Sequence, residues 1–341
     1  MPPSDRSYHS FLGDRCSHSL FLKPVTEAEI VNAINKFPNG KAPGWDGLSS
    51  FVVKKARNAL AIPLALLFNQ SISKGVFPND LKLVKVVPIH KGGSRHEFTN
   101  YRPITILPVF SKVFEKVVFS RMIAFINKHG LLSQSQYGFR ANHSTELAIL
   151  DVLSKIIDAF ENKQFSVGIF LDLSKAFDTV SHDILLNKLE HFGVRGLALD
   201  WFRSYVSNRR QFVSYKFHHS LEQPITCGVP QGSVLGPLLF IIYINDICRS
   251  SDDMSFCLFA DDTSLIYNHH HVDTAIHNIN AELVKISGWL ISNKLSINLL
   301  KTYYIIFCPR KHKYQTTNPL SFDGTIFNQV KTAKFLGLLY R

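Results

Sequence analysis

The sequence predicts an α+β fold built on a split βαβ antiparallel sheet with helices on one face. Three observations carry that expectation. Strand and helix patterns alternate from about residue 165 onward. The stretch "SFCLFADDTSLIY", Ser255 to Tyr267, sets two apolar runs around adjacent acids and reads as a hairpin with Asp261 and Asp262 at its tip. Finally, 341 residues at 45% hydrophobic content can bury a core sized for one large domain or two to three packed subdomains.

Along the chain, "TEAEIVNAINK" predicts a helix over 26–36, with Thr26 and Glu29 in capping-box spacing and Ile30, Ala33 and Ile34 on one face. "FPNGKAPGWDGLS" follows as a Gly/Pro-rich loop, then helical stretches through 49–74 and a strand "LKLVKVVPIH". "KGGSRHEFTNYRPI" reads as a loop, and the helix after it, "SKVFEKVVFSRMIAFINKHG", closes at Gly130. "FSVGIFLDL" is a buried strand. "SHDILLNKLEHFG" is a helix with Ser181 at its N-cap and Gly193 just past its end. "GLALDWFRSYV" continues as helix and "RRQFVSYKF" as strand. "GSVLGPLLFIIYINDI" is apolar nearly all round, so a buried helix, with Pro237 near its start where a missing N–H is tolerated. After the hairpin come a helix through "DTAIHNINAELVKISGWLISNK" and a strand "TYYIIFC".

Lys and Arg number 38 against 26 Asp and Glu, a formal charge of +12, which favours polyanionic partners. The five cysteines are scattered, with no CxxC pair and no Cys/His spacing for zinc, and fit a reducing compartment. The start "MPPSDRSYHS" lacks an apolar signal core, and the longest apolar runs are short and contain proline. The expectation is an intracellular protein, nuclear or cytoplasmic, with no membrane association.

Adjacent carboxylates repel, and a half-buried hairpin is a costly place to keep them. A third acid, Asp172, lies near the end of "VGIFLDL"; on a neighbouring strand it would complete an anionic pocket suited to divalent cations. Two Mg²⁺ ions so held would activate an attacking oxygen and stabilise a leaving one in phosphoryl transfer. The triplet His269 to His271 reads as a polar loop run rather than a metal site.

The surrounding residues carry a resemblance. "NYRPITILPVFSKVFEKVV", "SQYGFRANHST", "IFLDLSKAFDTVSHDILLNKL", "GVPQGSVLGPLLFIIYINDI", "FADD", "NKLSINLLKTYYIIF" and "KFLG" stand in the order found in reverse transcriptases of non-LTR (LINE-type) retrotransposons, across about residues 22–337. The resemblance implies the right-hand polymerase fold: residues 1–80 as N-terminal extension and start of the fingers, 81–165 as fingers, and 166–341 as palm. It implies RNA-directed DNA polymerase activity with two Mg²⁺ ions, Mn²⁺ substituting. Its partners would be an RNA template, a DNA primer or nicked target DNA, and dNTPs.

Residue by residue, it implies metal-binding roles for Asp172, Asp261 and Asp262, with the backbone carbonyl of Leu173 also facing a metal. Phe177, five positions after Asp172, matches the steric gate beneath the nucleotide sugar. Gln231 and Gly232 match the turn that meets the nascent base pair, Arg102 the fingers arginine on the triphosphate, and Lys91 a second cation there, with Lys85 as its rival. Lys301 matches a palm lysine near the leaving pyrophosphate. Asp178 is expected to order the turn before the Ser181 helix. Basic runs at Lys54, Lys55 and Arg57, at Arg209 and Arg210, and at Arg310, Lys311 and Lys313 are candidates for tracking template or primer phosphates. The Gly40–Gly47 loop resembles a family loop near the template. The sequence ends at "FLGLLYR", so the expectation is a primer-grip hairpin cut short, no thumb and no endonuclease domain. An inactive remnant that only binds nucleic acid is the competing expectation.

Overall fold

The computed structural model describes residues 7–309, 316 and 318–340. The basic run at Arg310, Lys311 and Lys313 lies outside the described residues. The fold is mixed α and β, in two compact units each assembled from separate stretches of chain. One comprises Met1–Asp14, Leu132–Thr179 and Tyr243–Arg341; the other comprises Arg15–Leu131 and Val180–Ile242.

The first unit is organised around a five-stranded sheet in the order Asn328–Gln329, Tyr303–Phe307, Phe165–Asp172, Asp262–His269, Ser255–Phe259. Phe165–Asp172 is central and antiparallel to both neighbours. Its near-continuous burial is what a strand covered on both faces requires, and explains the unbroken apolar run. The helix Thr145–Glu161, capped by Ser144, packs Ala148, Val152 and Ile156 against Phe170, Cys257, Ile266 and Phe307. Sequence pattern assigned nothing to this segment, although its buried positions recur at helical spacing. A short hairpin, Ala333–Phe335 with Leu338–Tyr340, joins the same core through Ala333, Phe335 and Tyr340.

The second unit holds another five-stranded sheet: Tyr101–Ile106, Leu83–His90, Arg209–Tyr215 and His218–His219 in order, with Gln223–Ile225 also on Arg209–Tyr215. Leu83–His90 and Arg209–Tyr215 run parallel; the other pairs are antiparallel. The helices Arg57–Lys74, Val109–Lys128 and Leu197–Val206 meet in an aromatic core. There Phe68 stacks on Phe114 at 3.9 Å, and Trp201 stands edge-on to Phe77 at 5.3 Å. The first helix of this unit, Glu27–Asn35, carries the full capping box: Thr26 accepts the Glu29 N–H, and the Glu29 carboxylate accepts the Thr26 N–H.

One segment differs from its sequence reading. "NYRPI" is no loop: Tyr101–Ile106 is an edge strand, with Pro103 opposite Pro88. Proline cannot donate to a ladder, so it weakens a strand signature yet is tolerated at an edge. Among the described residues no helix is long and apolar enough to cross a membrane, and none of the five cysteines is in a disulfide.

Candidate active site

Within the first unit, Asp172 ends the central strand and Asp262 begins the next, and the two are direct cross-strand partners. Ala260 and Asp261 make the turn of the hairpin, with Phe259 paired to Asp262. A short side chain in the left-handed region is uncommon, and Ala260 sits there at φ +57°. The Asp262 carboxyl is pushed up to about 6, first by desolvation, then by the charges of Asp261 and Asp172.

The loop after the helix Val272–Ser292 wraps the end of the central strand. Asn298 N–H donates to the Asp172 carbonyl at 2.7 Å, and the Asp172 N–H donates to the Thr302 hydroxyl. That loop delivers Lys301, whose ammonium lies 3.5 Å from the Asp172 carboxylate while keeping most of its surface in water. Leu173 continues the strand, its side chain buried and its backbone bridged to Ile297. Phe177 lies within a turn in which the Asp178 N–H donates to the Lys175 carbonyl; its ring stands edge-on to Phe139, 6.4 Å between centroids. An open cleft runs from Asp172, Asp262 and Lys301 to Tyr303, Lys334 and Leu336, the last two on or beside the short terminal hairpin.

The donor set can hold a hard cation. Three carboxylates on adjacent strand ends offer only oxygen ligands, and the raised proton affinity of Asp262 registers a repulsion that a cation would relieve. Among the described residues no three His, Cys, Asp or Glu side chains converge into a closed metal shell. Magnesium does not require one, since it takes one or two carboxylates plus substrate phosphates and water.

The remaining predicted residues lie in the second unit. Arg102 is exposed on the edge strand opposite Ile89, and Lys91 is exposed just past the neighbouring strand, its N–H bonded to the Asn100 carbonyl. Lys85 is engaged, its ammonium donating to the Gly44 carbonyl at 3.2 Å. The turn containing Gln231 and Gly232 is fastened to the same edge strand: Thr105 N–H donates to the Gln231 carbonyl at 3.0 Å. Gly232 has φ +121°, and a Cβ there would come within 2.3 Å of the Thr105 carbonyl oxygen. Gly232→Ala is therefore expected to cost about 1–3 kcal/mol, through strain and a displaced turn, read from a thermal melt.

Sequence reasoning missed Glu115, which fastens the backbone just after this turn, and misread Arg209. Glu115, fully buried in the helix Val109–Lys128, accepts the N–H groups of Val234 at 2.6 Å and Leu235 at 3.3 Å, and the Ser111 hydroxyl donates to it. Burial raises its carboxyl above the usual range, and the charge of Arg209 pulls the other way. Arg209 is only 1% exposed; it lies over the Tyr205 ring and donates to the Tyr205 carbonyl. That corrects the expectation that Arg209 tracks phosphates, since a buried guanidinium cannot meet a nucleic-acid backbone. Its neighbour Arg210 points outward and pairs with Glu222 at 2.8 Å. The signal for Glu115 was a charge among residues at helical spacing, Ser111, Val118 and Met122, that all belong to a buried face.

A profile described as reverse transcriptase (RNA-dependent DNA polymerase) matches residues 89–340. The chain thus belongs to the reverse transcriptase family, in its non-LTR, LINE-type group. It is 31% identical over 94% of its length to a probable RNA-directed DNA polymerase from transposon BS of Drosophila melanogaster, covering 36% of that relative. It is similarly 31% identical to a probable RNA-directed DNA polymerase from transposon X-element, covering 93% of this chain and 35% of the relative, and 30% identical to the RNA-directed DNA polymerase from mobile element jockey, covering 98% and 37%. Both of these are also from Drosophila melanogaster. The chain spans about a third of the length of these relatives.

Proposed function

We propose that this chain carries out RNA-templated DNA synthesis, adding a deoxynucleotide from a dNTP to the 3′-hydroxyl of a DNA primer or nicked target. The observation that carries the reading is the cross-strand pair Asp172 and Asp262, with Asp261 in the adjoining turn and Lys301 beside it. Asp172, Asp261 and Asp262 would hold two Mg²⁺ ions, or Mn²⁺ in their place, with the Leu173 carbonyl alongside. Those ions would supply activation of the primer oxygen and neutralisation of the triphosphate charge. In the reaction the primer oxygen bonds to the α-phosphorus, the bond to the β-phosphate breaks, and pyrophosphate leaves.

Lys301 would give a proton to the departing pyrophosphate from its position beside Asp172. Arg102 on the edge strand and Lys91 just past its neighbour are exposed cations suited to gripping a triphosphate; the fork of the arginine can take two oxygens at once. Lys85 is less suited, being spent on Gly44. Gln231 offers donor and acceptor to the nascent pair, and Gly232 lets that turn lie close on the strand beneath it. The cleft between the acids and the hairpin at Lys334 suits a primer end. In this reading the first unit supplies the palm and the second the fingers.

Phe177 would stand beneath the sugar and exclude a 2′-hydroxyl. Phe177→Val is expected to reduce the preference for dNTPs over rNTPs on the order of 100-fold while retaining dNTP incorporation, measured as the ratio of kcat/KM values. The reading as a whole is tested by primer extension on an RNA template with Mg²⁺ and dNTPs. Template-directed extension supports it. No extension, with binding to an RNA/DNA hybrid retained, leaves a nucleic-acid-binding remnant instead.

A further inference from the structure

We infer that Gln136 is a positioning residue for the Asp261–Asp262 turn, setting through one buried carboxamide both the acidic turn and the ring beside Phe177. The inference rests on the polymerase reading for what the turn does, and on the geometry of the first unit for how the turn is held.

The segment Ser135–Arg140 lies along the hairpin strand Ser255–Phe259 as a short parallel addition. Leu258 N–H donates to the Ser135 carbonyl at 2.8 Å, and Tyr137 N–H donates to the Leu258 carbonyl at 2.7 Å. At that point the side chain of Gln136, wholly buried, turns toward the hairpin tip. Its carboxamide oxygen accepts the Gly138 N–H at 2.7 Å and the Ala260 N–H at 3.1 Å. Ala260 is the left-handed residue directly before Asp261, so the bond fixes the backbone conformation from which both acids project. Gly138 has no room for a side chain: a Cβ would come within 2.3 Å of the Ala260 nitrogen. The two backbones are therefore in contact.

The amide orientation is dictated, because turning it over would aim the NH₂ at two N–H donors. As placed, the NH₂ group is buried and has no partner. A position needing only bulk would be better filled by Leu or Met, which bury no polar group. The carboxamide is retained for its oxygen. On the other side of Gly138, Phe139 also adopts a left-handed conformation, φ +56°, which is unusual for a large side chain, and its ring stands against Phe177. The loop is closed behind by Arg140, which donates to the carbonyls of Ser133 and Gln136. One acceptor thus ties the carboxylate turn to the wall behind the proposed sugar gate.

The test compares Gln136→Met, which keeps the bulk and removes the acceptor, with Gln136→Glu, which keeps an acceptor whether or not it is ionised. Amide hydrogen exchange is read at Ala260 and Gly138, with Leu258 and Tyr137 as internal controls, alongside single-turnover incorporation, the Mg²⁺ needed for half-maximal rate, and dNTP-over-rNTP preference. In the Met variant Ala260 and Gly138 are expected to lose protection while the controls keep theirs. The rate falls about 100-fold, the Mg²⁺ requirement rises and sugar preference narrows, as expected for reacting groups displaced by about an ångström. The Glu variant recovers most of each loss. Unchanged exchange at Ala260 in the Met variant overturns the inference, as does a general loss of protection shared by both variants. Because exchange needs no turnover, an inactive wild type would defeat the polymerase reading and leave this one to be decided by exchange alone.

Discussion

Asp262→Asn is expected to abolish nucleotide incorporation, by a factor on the order of 10³ or more, and at the same time to raise the melting temperature of the metal-free protein at neutral pH. Both effects have one cause. Asp262 sits across from Asp172 and next to Asp261, and its folded pKa of about 6 stands above the 3.8 usual for an aspartate. The native state therefore holds this proton more tightly than the unfolded chain does. The associated stability is complete below about pH 4 and is lost as pH rises through about 6. Asparagine is neutral throughout, so it removes the penalty that the carboxylate carries above that window. The site is open to solvent, which screens the repulsion, so the gain is about 1 kcal/mol, a few degrees of melting temperature. At pH 4 the gain vanishes. Mg²⁺ should raise the melting temperature of the wild type above pH 6 and have little effect on the variant. Differential scanning fluorimetry across pH, with and without Mg²⁺, checks each of these.

Glu115→Ala is expected to be the most destabilising single change considered, by about 3–5 kcal/mol in urea unfolding. It strands the buried guanidinium of Arg209 and leaves the N–H groups of Val234 and Leu235 without their acceptor. Gln in place of Glu keeps an acceptor and should cost less. Replacing Glu115 and Arg209 together by leucine should cost less than the sum of the two single changes, because neither charge is then left alone. An additive cycle would show that the two do not interact. Since the same carboxylate holds the turn that carries Gln231 and Gly232, a partially folded Glu115→Gln variant should also show looser exchange at Val234 and Leu235.

Local signals in the sequence carry through to the structure. The capping box at Thr26 and Glu29 and the apolar runs around Asp261 and Asp262 each lie within a dozen residues, and both stand in the structure as their pattern predicts. The position of Asp172 at a strand end is legible because the burial of that strand is written in its composition. What escaped was long-range or two-faced. Gln136 meets Ala260 from 124 residues away, and nothing in "SQSQYGFR" marks its side chain as an acceptor. Glu115 likewise finds its partners 119 and 120 residues on. Arg209 and Arg210 are adjacent and alike, but alternate faces of a strand send one into the core and the other to Glu222, and the dipeptide does not say which. Tyr101–Ile106 was hidden by its proline, since edge pairing is settled by the neighbouring strand rather than by the segment itself.

On the polymerase reading, the hairpin keeps its adjacent acids because they would hold metal opposite Asp172. Affinity cleavage with Fe²⁺ in place of Mg²⁺ tests it most directly, because hydroxyl radicals formed at bound iron cut the nearby backbone without any need for turnover. Cuts are expected near Asp172 and near Asp261 and Asp262, suppressed by excess Mg²⁺ and lost in Asp262→Asn. Cuts confined elsewhere, around His269 to His271 for instance, or cuts at the hairpin that Mg²⁺ does not suppress, would contradict it.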